Sequence, residues 1–74
     1  MITNIQQKID SLIGRRVKVV TSSGAIFSGR LYRRGERFVI LEDLRLYKKD
    51  GQCIVCKGKT TRAFEIEKIK EIGE

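Results

Sequence analysis

From Gly14 onward the apolar residues of this chain fall two apart instead of three or four, and glycine-bearing turns cut that alternation into short pieces. Before it, Ile2, Ile5, Ile9, Leu12 and Ile13 recur at helical spacing, with Asn4, Gln6, Gln7, Lys8, Asp10 and Ser11 filling the other side. Thr3 followed by Gln6 fits a capping box, and Gly14 fits a left-handed stop. The spacing predicts a short amphipathic helix within residues 1–14. Its stripe must be covered by the rest of the domain, because an isolated helix of this length is marginal in water.

The period-two segment reads as a succession of hairpins. Val17 and Val19 alternate with Arg16, Lys18 and Val20, Thr21-Ser22-Ser23-Gly24 supplies turn chemistry, and Ala25, Phe27, Gly29 and Leu31 then share one face of a second strand. Gly29 in mid-strand signals a sharp bend or a close backbone approach. After the turn Arg33-Arg34-Gly35-Glu36-Arg37, residues 38–41 are apolar on both faces, as in a central strand, which continues to Tyr47 with a change of phase near Asp43. Lys48-Lys49-Asp50-Gly51 and Lys57-Gly58-Lys59 are further turns, with strands expected over 52–56, 60–66 and 69–72. A helix over 63–72 competes for the C-terminus, since Ala63, Ile66, Ile69 and Ile72 are also three apart. The strand reading gives a mainly β fold: an N-terminal amphipathic helix (1–14) and a strongly bent antiparallel SH3-like barrel of five or six strands (15–74), as one domain over 1–74.

Composition bears on function chiefly by exclusion. The chain has 74 residues and no His, which removes the imidazole base of common hydrolases and every His-containing zinc set. Glu42 and Asp43 are adjacent, but neighbours on a strand face opposite ways and make no acid/base pair. A binding or assembly module, not an enzyme, is expected, with no cofactor. No apolar run approaches the ~20 residues that span a bilayer, so no membrane association and a cytoplasmic location are expected. Ten Ile among many Lys, Arg and Glu lean towards a heat-adapted source. The formal charge is +7, and residues 1–37 carry eight basic and two acidic side chains against eight and seven in 38–74. So localised a surplus attracts polyanions, or serves as a solvated face.

These residues resemble the Sm-like (LSm) family of ring-forming, RNA-binding small barrels. Val17-x-Val19, the Gly24 turn and Phe27-x-Gly29-x-Leu31 look like the first Sm motif, and Val39-Ile40-Leu41-Glu42-Asp43 is similar to the hydrophobic-then-acidic strand that ends it. Arg62, with Ile66 and Ile69 four and seven residues beyond, is spaced like the second motif, with Ala63 in place of the usual Gly. The resemblance implies a homo-oligomeric ring built by edge-strand pairing and a single-stranded RNA partner held on an assembly platform or chaperone. Family members shape a uracil pocket with an Asp and an Asn before the third strand, whereas this chain has Arg34-Gly35-Glu36-Arg37-Phe38 there. The substitution points from base reading towards phosphate contact, for which Arg33, Arg34, Arg37 and Arg62 are candidates, followed by Lys57 and Lys59. Tyr32 and Phe38 are candidate stacking faces, with a core role open for Phe38. The alternative from another class is a non-catalytic interaction adaptor on an SH3-like barrel with no nucleic-acid role.

Cys53-Ile54-Val55-Cys56 has zinc-knuckle spacing but supplies only two thiolates. Incidental thiols, a metal site shared with a second subunit, and a disulfide requiring a local turn remain the three readings. The hydrophobic stretch 53–56 is also a natural edge for pairing, unless Lys48, Lys49, Lys57 and Lys59 protect it.

Overall fold

A computed structural model describes residues 5–55 and 60–74. Among the described residues helix α1 spans Ile5–Ser11 and ends before Leu12 and Ile13. Ile9 is fully enclosed and Leu12 nearly so, while Ile5 and Ile13 stay exposed. Thr3 of the expected capping box lies outside the described residues. Gly14 ends the helical segment with φ +87°, where an L side chain would be strained. The chain is then bonded at once to the barrel: the Gly14 N–H donates to the Leu31 carbonyl and the Leu31 N–H to that of Arg15, at 2.7 and 2.9 Å.

Among the described residues six strands follow: β1 Arg16–Thr21, β2 Ile26–Arg34, β3 Phe38–Tyr47, β4 Cys53–Val55, β5 Arg62–Glu65 and β6 Ile69–Gly73. Their order is β4-β3-β2-β1-β6, and β5 also pairs with β3. The β1–β2 register sets Val17 opposite Gly29 and Val19 opposite Phe27, so the predicted inward face forms as expected. At Gly29 a Cβ would stand 2.7 Å from the Glu42 carbonyl oxygen and 3.1 Å from Leu41 Cβ, and the β2–β3 register shifts between Ser28 and Arg30. This is the close backbone approach that a mid-strand glycine signals, and it bends the sheet. The phase change also appears where the sequence places it. Asp43 adopts φ +51°, so that Val39, Leu41 and then Leu44, three residues on, all face inward.

The C-terminal segment is a strand, a single 3₁₀ turn (Ile66–Lys68) and a strand, not a helix. β5 lies against the first half of β3, with Val39 opposite Phe64, and β6 returns to β1, with Val19 opposite Ile72. Ile69 and Ile72 are both buried although three apart, because the β1–β6 register slips between Val20 and Thr21. That irregularity is what makes the segment look helical in sequence. The core joins α1 to both layers through Ile9, Leu31, Leu41, Val17, Val19 and Val39, all less than 3% exposed. Among the described residues no helix is long and apolar enough to cross a membrane. Ile54 and Val55 of edge strand β4 are about half exposed (52% and 47%). Cys53 is disulfide-bonded, the third of the three readings, so in this state its sulfur is no thiolate ligand. Cys56, Lys57 and Lys59 lie outside the described residues.

Replacing Gly29 with Ala forces a methyl group against the Glu42 carbonyl and should cost about 1–3 kcal/mol. Urea unfolding should show a lower midpoint for Gly29→Ala and, within roughly 0.5 kcal/mol, no change for Lys70→Ala, an exposed position of β6. An unmoved midpoint for Gly29→Ala would mean that the β2–β3 contact yields freely.

Candidate nucleic-acid interface

The turn between β2 and β3 is narrow and preorganised. The Gly35 N–H donates to the Phe38 carbonyl at 2.8 Å, and a Cβ on Gly35 would meet the Phe38 ring at 2.5–3.0 Å, so the ring lies across the turn. Phe38 is consequently 38% exposed, at the start of a strand whose next residue, Val39, is wholly buried. The open core role therefore falls to Val39, and Phe38 keeps a face in solvent. Tyr32, on the outward side of β2 near the same end, is 52% exposed.

The arginines divide by what they touch. Arg34 is turned towards α1, where its Nε and Nη2 donate to the two carboxylate oxygens of Asp10 at 2.7 and 3.0 Å, and Nη1 donates to the Gly35 carbonyl at 3.0 Å. This bidentate pair, with Gln6 Nε2 donating to the Glu36 carbonyl at 3.0 Å, ties the helix to the turn. The hydrogen bond from Arg34, reinforced by its charge, holds the Asp10 carboxyl below its ordinary value and raises the guanidinium in return. Arg33 and Arg37 are exposed, and among the described residues neither forms an ion pair. Arg62 is elsewhere. It lies on the inward side of β5 with Phe64, its guanidinium 4.9 Å from the Phe64 ring centre and 5.1 Å from that of Phe27, and it lines a separate cavity of about 470 Å³ with Thr21, Ser22 and Lys68.

Behind the turn lies a cleft of about 410 Å³ lined by Glu36, Arg37, Phe38, Glu65, Ile66 and Glu67. It forms because the Ile66 N–H donates to the Arg37 carbonyl at 2.8 Å and Phe38 pairs with Glu65. Its three carboxylates outnumber the one guanidinium of its lining, even with Glu65 ion-paired to Lys68 at 3.8 Å, and this makes its interior unfavourable for phosphate and leaves the outer rim at Arg33 and Arg37 as the anion-attracting part. The sequence gives no sign of this cleft, since its acidic residues come from two distant segments. A second omission is the outward face of the sheet, where register aligns Lys18 with Ser28 and Arg45. The period-two pattern that places Val17 and Val19 inside already points Arg16 and Lys18 outward.

No family model matches this sequence, and neither does any curated protein. The structure is similar to that of the Sm protein of Pyrococcus abyssii solved in complex with a uridine heptamer, with a TM-score of 0.77 and 19% identity over 96% of this chain and 97% of that one. It is also similar to a Sm-like archaeal protein from Pyrobaculum aerophilum, with a TM-score of 0.64 and 22% identity over 89% of this chain and 47% of that one. The chain therefore has the Sm fold.

The Asp10–Arg34 pair has a pH signature. A carboxyl held below its unfolded value, about 3.9, stabilises the fold above that pH and loses the contribution as pH falls through the lower folded value. Asp10→Asn should have a lower Tm than the wild type at neutral pH, and the gap should close as pH falls below about 4. A gap that persists undiminished in acid would exclude this pair as its source.

Proposed function

We propose that this chain is a divergent Sm-like protein that binds single-stranded RNA without strict base reading, as a homo-oligomeric ring serving as an assembly platform or RNA chaperone. The observation that carries this reading is the match, over nearly the whole of both chains, to an Sm protein solved with a uridine heptamer. The rim of the β2–β3 turn supports it chemically: Arg33 and Arg37 are free to contact phosphates, with Phe38 and Tyr32 exposing aromatic faces nearby. The acidic cleft and the absence of the Asp and Asn of the uracil pocket favour backbone contact over recognition of one base. Edge strands β4 and β6, with Ile54 and Val55 exposed on β4, offer the surfaces through which copies would pair. The same cleft is the observation that favours an adaptor function instead, because it repels phosphate from the turn's interior.

Light scattering of the purified protein in high salt tests the ring, and titration with oligo(U) and oligo(A) at about 50 mM salt tests the binding. A ring mass with similar affinity for both oligonucleotides is the expected result, and a monomer that binds neither would remove the proposal. Arg33→Glu combined with Arg37→Glu should weaken binding of both oligonucleotides and reduce the slope of log affinity against log salt by about 1.4, for two phosphate contacts on a single strand. Arg34→Glu, in contrast, should lower stability by breaking the tie to α1.

A further inference from the structure

The outward face of the β1–β2–β3 meander carries cations without a carboxylate partner among the described residues. Cross-strand register puts Lys18, Ser28 and Arg45 in one row and Val20, Ile26 and Tyr47 in the next. Among the described residues Lys18, Arg45, Lys48 and Lys49 form no ion pair. The carboxylates of this face are otherwise placed: Glu42 is paired with Arg30, Asp43 sits at the bulge, and Glu71 lies opposite Val20 at the β6 margin. Between the rows is a cleft of about 310 Å³ lined by Tyr47, Ile26, Ser28 and the lysines 18, 48 and 49. Its floor is apolar and aromatic and its walls are cationic.

Tyr47 lies in that cleft, half-buried, in the row next to Ser28 and Arg45. Hydrogen bonds from Ser28 and then Arg45, with the charges of Arg45 and Arg16, lower the pKa of its phenol below the ordinary tyrosine value. A half-buried aromatic ring keeps one face available to a planar partner. Tyr32 is six positions along β2 from Ile26, about 20 Å at ~3.3 Å per residue, so this cleft is a different surface from the rim at Arg33 and Arg37.

We propose that this face is a second contact surface for single-stranded RNA, where Lys18, Arg45, Lys48 and Lys49 contact the phosphate backbone and Tyr47 stacks on a base. The inference rests on the RNA-binding reading above and adds a site to it. The juxtaposition of an aromatic ring with unpaired cations favours a single strand, because a duplex offers backbone charge but hides its base faces.

Fluorescence anisotropy of labelled oligo(U) and oligo(A) against the full chain, from about 50 to 200 mM salt, separates the possibilities. Lys18→Glu with Arg45→Glu should weaken both oligonucleotides about tenfold or more and reduce the salt slope by about 1.4, additively with the Arg33/Arg37 pair. Tyr47→Leu should weaken binding with the salt slope unchanged. If the charge reversals disturb folding, as circular dichroism would show, Lys18→Gln with Arg45→Gln should give the same loss of slope. Wild-type affinity and slope in the Lys18/Arg45 variants, alongside impaired Arg33/Arg37 variants, would overturn this site and leave the RNA reading standing. No binding by the wild type at low salt would overturn both. Equal losses for a polyglutamate peptide, with Tyr47→Leu silent, would assign the face to an acidic protein and overturn the RNA site.

Discussion

Closure of this barrel rests on the contact at Gly29, where the Glu42 carbonyl oxygen occupies the space that a side chain would need. A sheet of short strands can enclose a core only if it curves hard, and curvature demands places where two backbones come closer than side chains allow. Gly29 is one and the Asp43 bulge is its counterpart on the facing strand. Between them they keep Val39, Leu41 and Leu44 pointing inward through the bend, and they let β6 come back to β1. The helix, the turn and the outward cationic rows all take their positions from that curvature.

Charge in this molecule is sorted by use. Arg34 is spent on holding α1 to the turn, Arg30 on Glu42, and Arg15 on Glu74. Arg62 rests on two aromatic rings. What remains uncommitted is a smaller set at the rim of the β2–β3 turn and on the outward sheet face, so the surplus of basic residues overstates the turn and understates the sheet. The cleft behind the turn is acidic although the turn itself is the most basic stretch of the chain.

Much of the architecture is legible in the sequence because it depends on local chemistry. Gly14, Gly24 and Gly51 stop or turn the chain with positive φ, the alternation of Val17, Val19, Phe27 and Leu31 fixes an inward face, and the broken period after Leu41 marks Asp43. What is not legible depends on register. The β2–β3 pairing shifts again between Leu31 and Arg33, and this decides that Arg34 meets Asp10 while its neighbour Arg33 faces solvent. Likewise, the resemblance makes Arg62, in the later motif, a phosphate-contact candidate beside the turn arginines, but the pairing of β5 with β3 sets Glu65 beside Phe38 and leaves Arg62 farther along the strand, on its inward side. Sequence spacing reports periodicity along one strand. Which charges become neighbours is settled across strands, where each bulge resets the alignment.

The packing of Phe38 across Gly35 has a consequence for how such a turn can diverge. Any side chain at position 35 would displace the ring, so the two positions are not independently variable. A side chain at 35 fits only if the aromatic at 38 moves aside or is replaced by a smaller residue. Substitution there is thus a paired event, and this chain holds the glycine–aromatic combination that leaves part of a ring exposed at the rim.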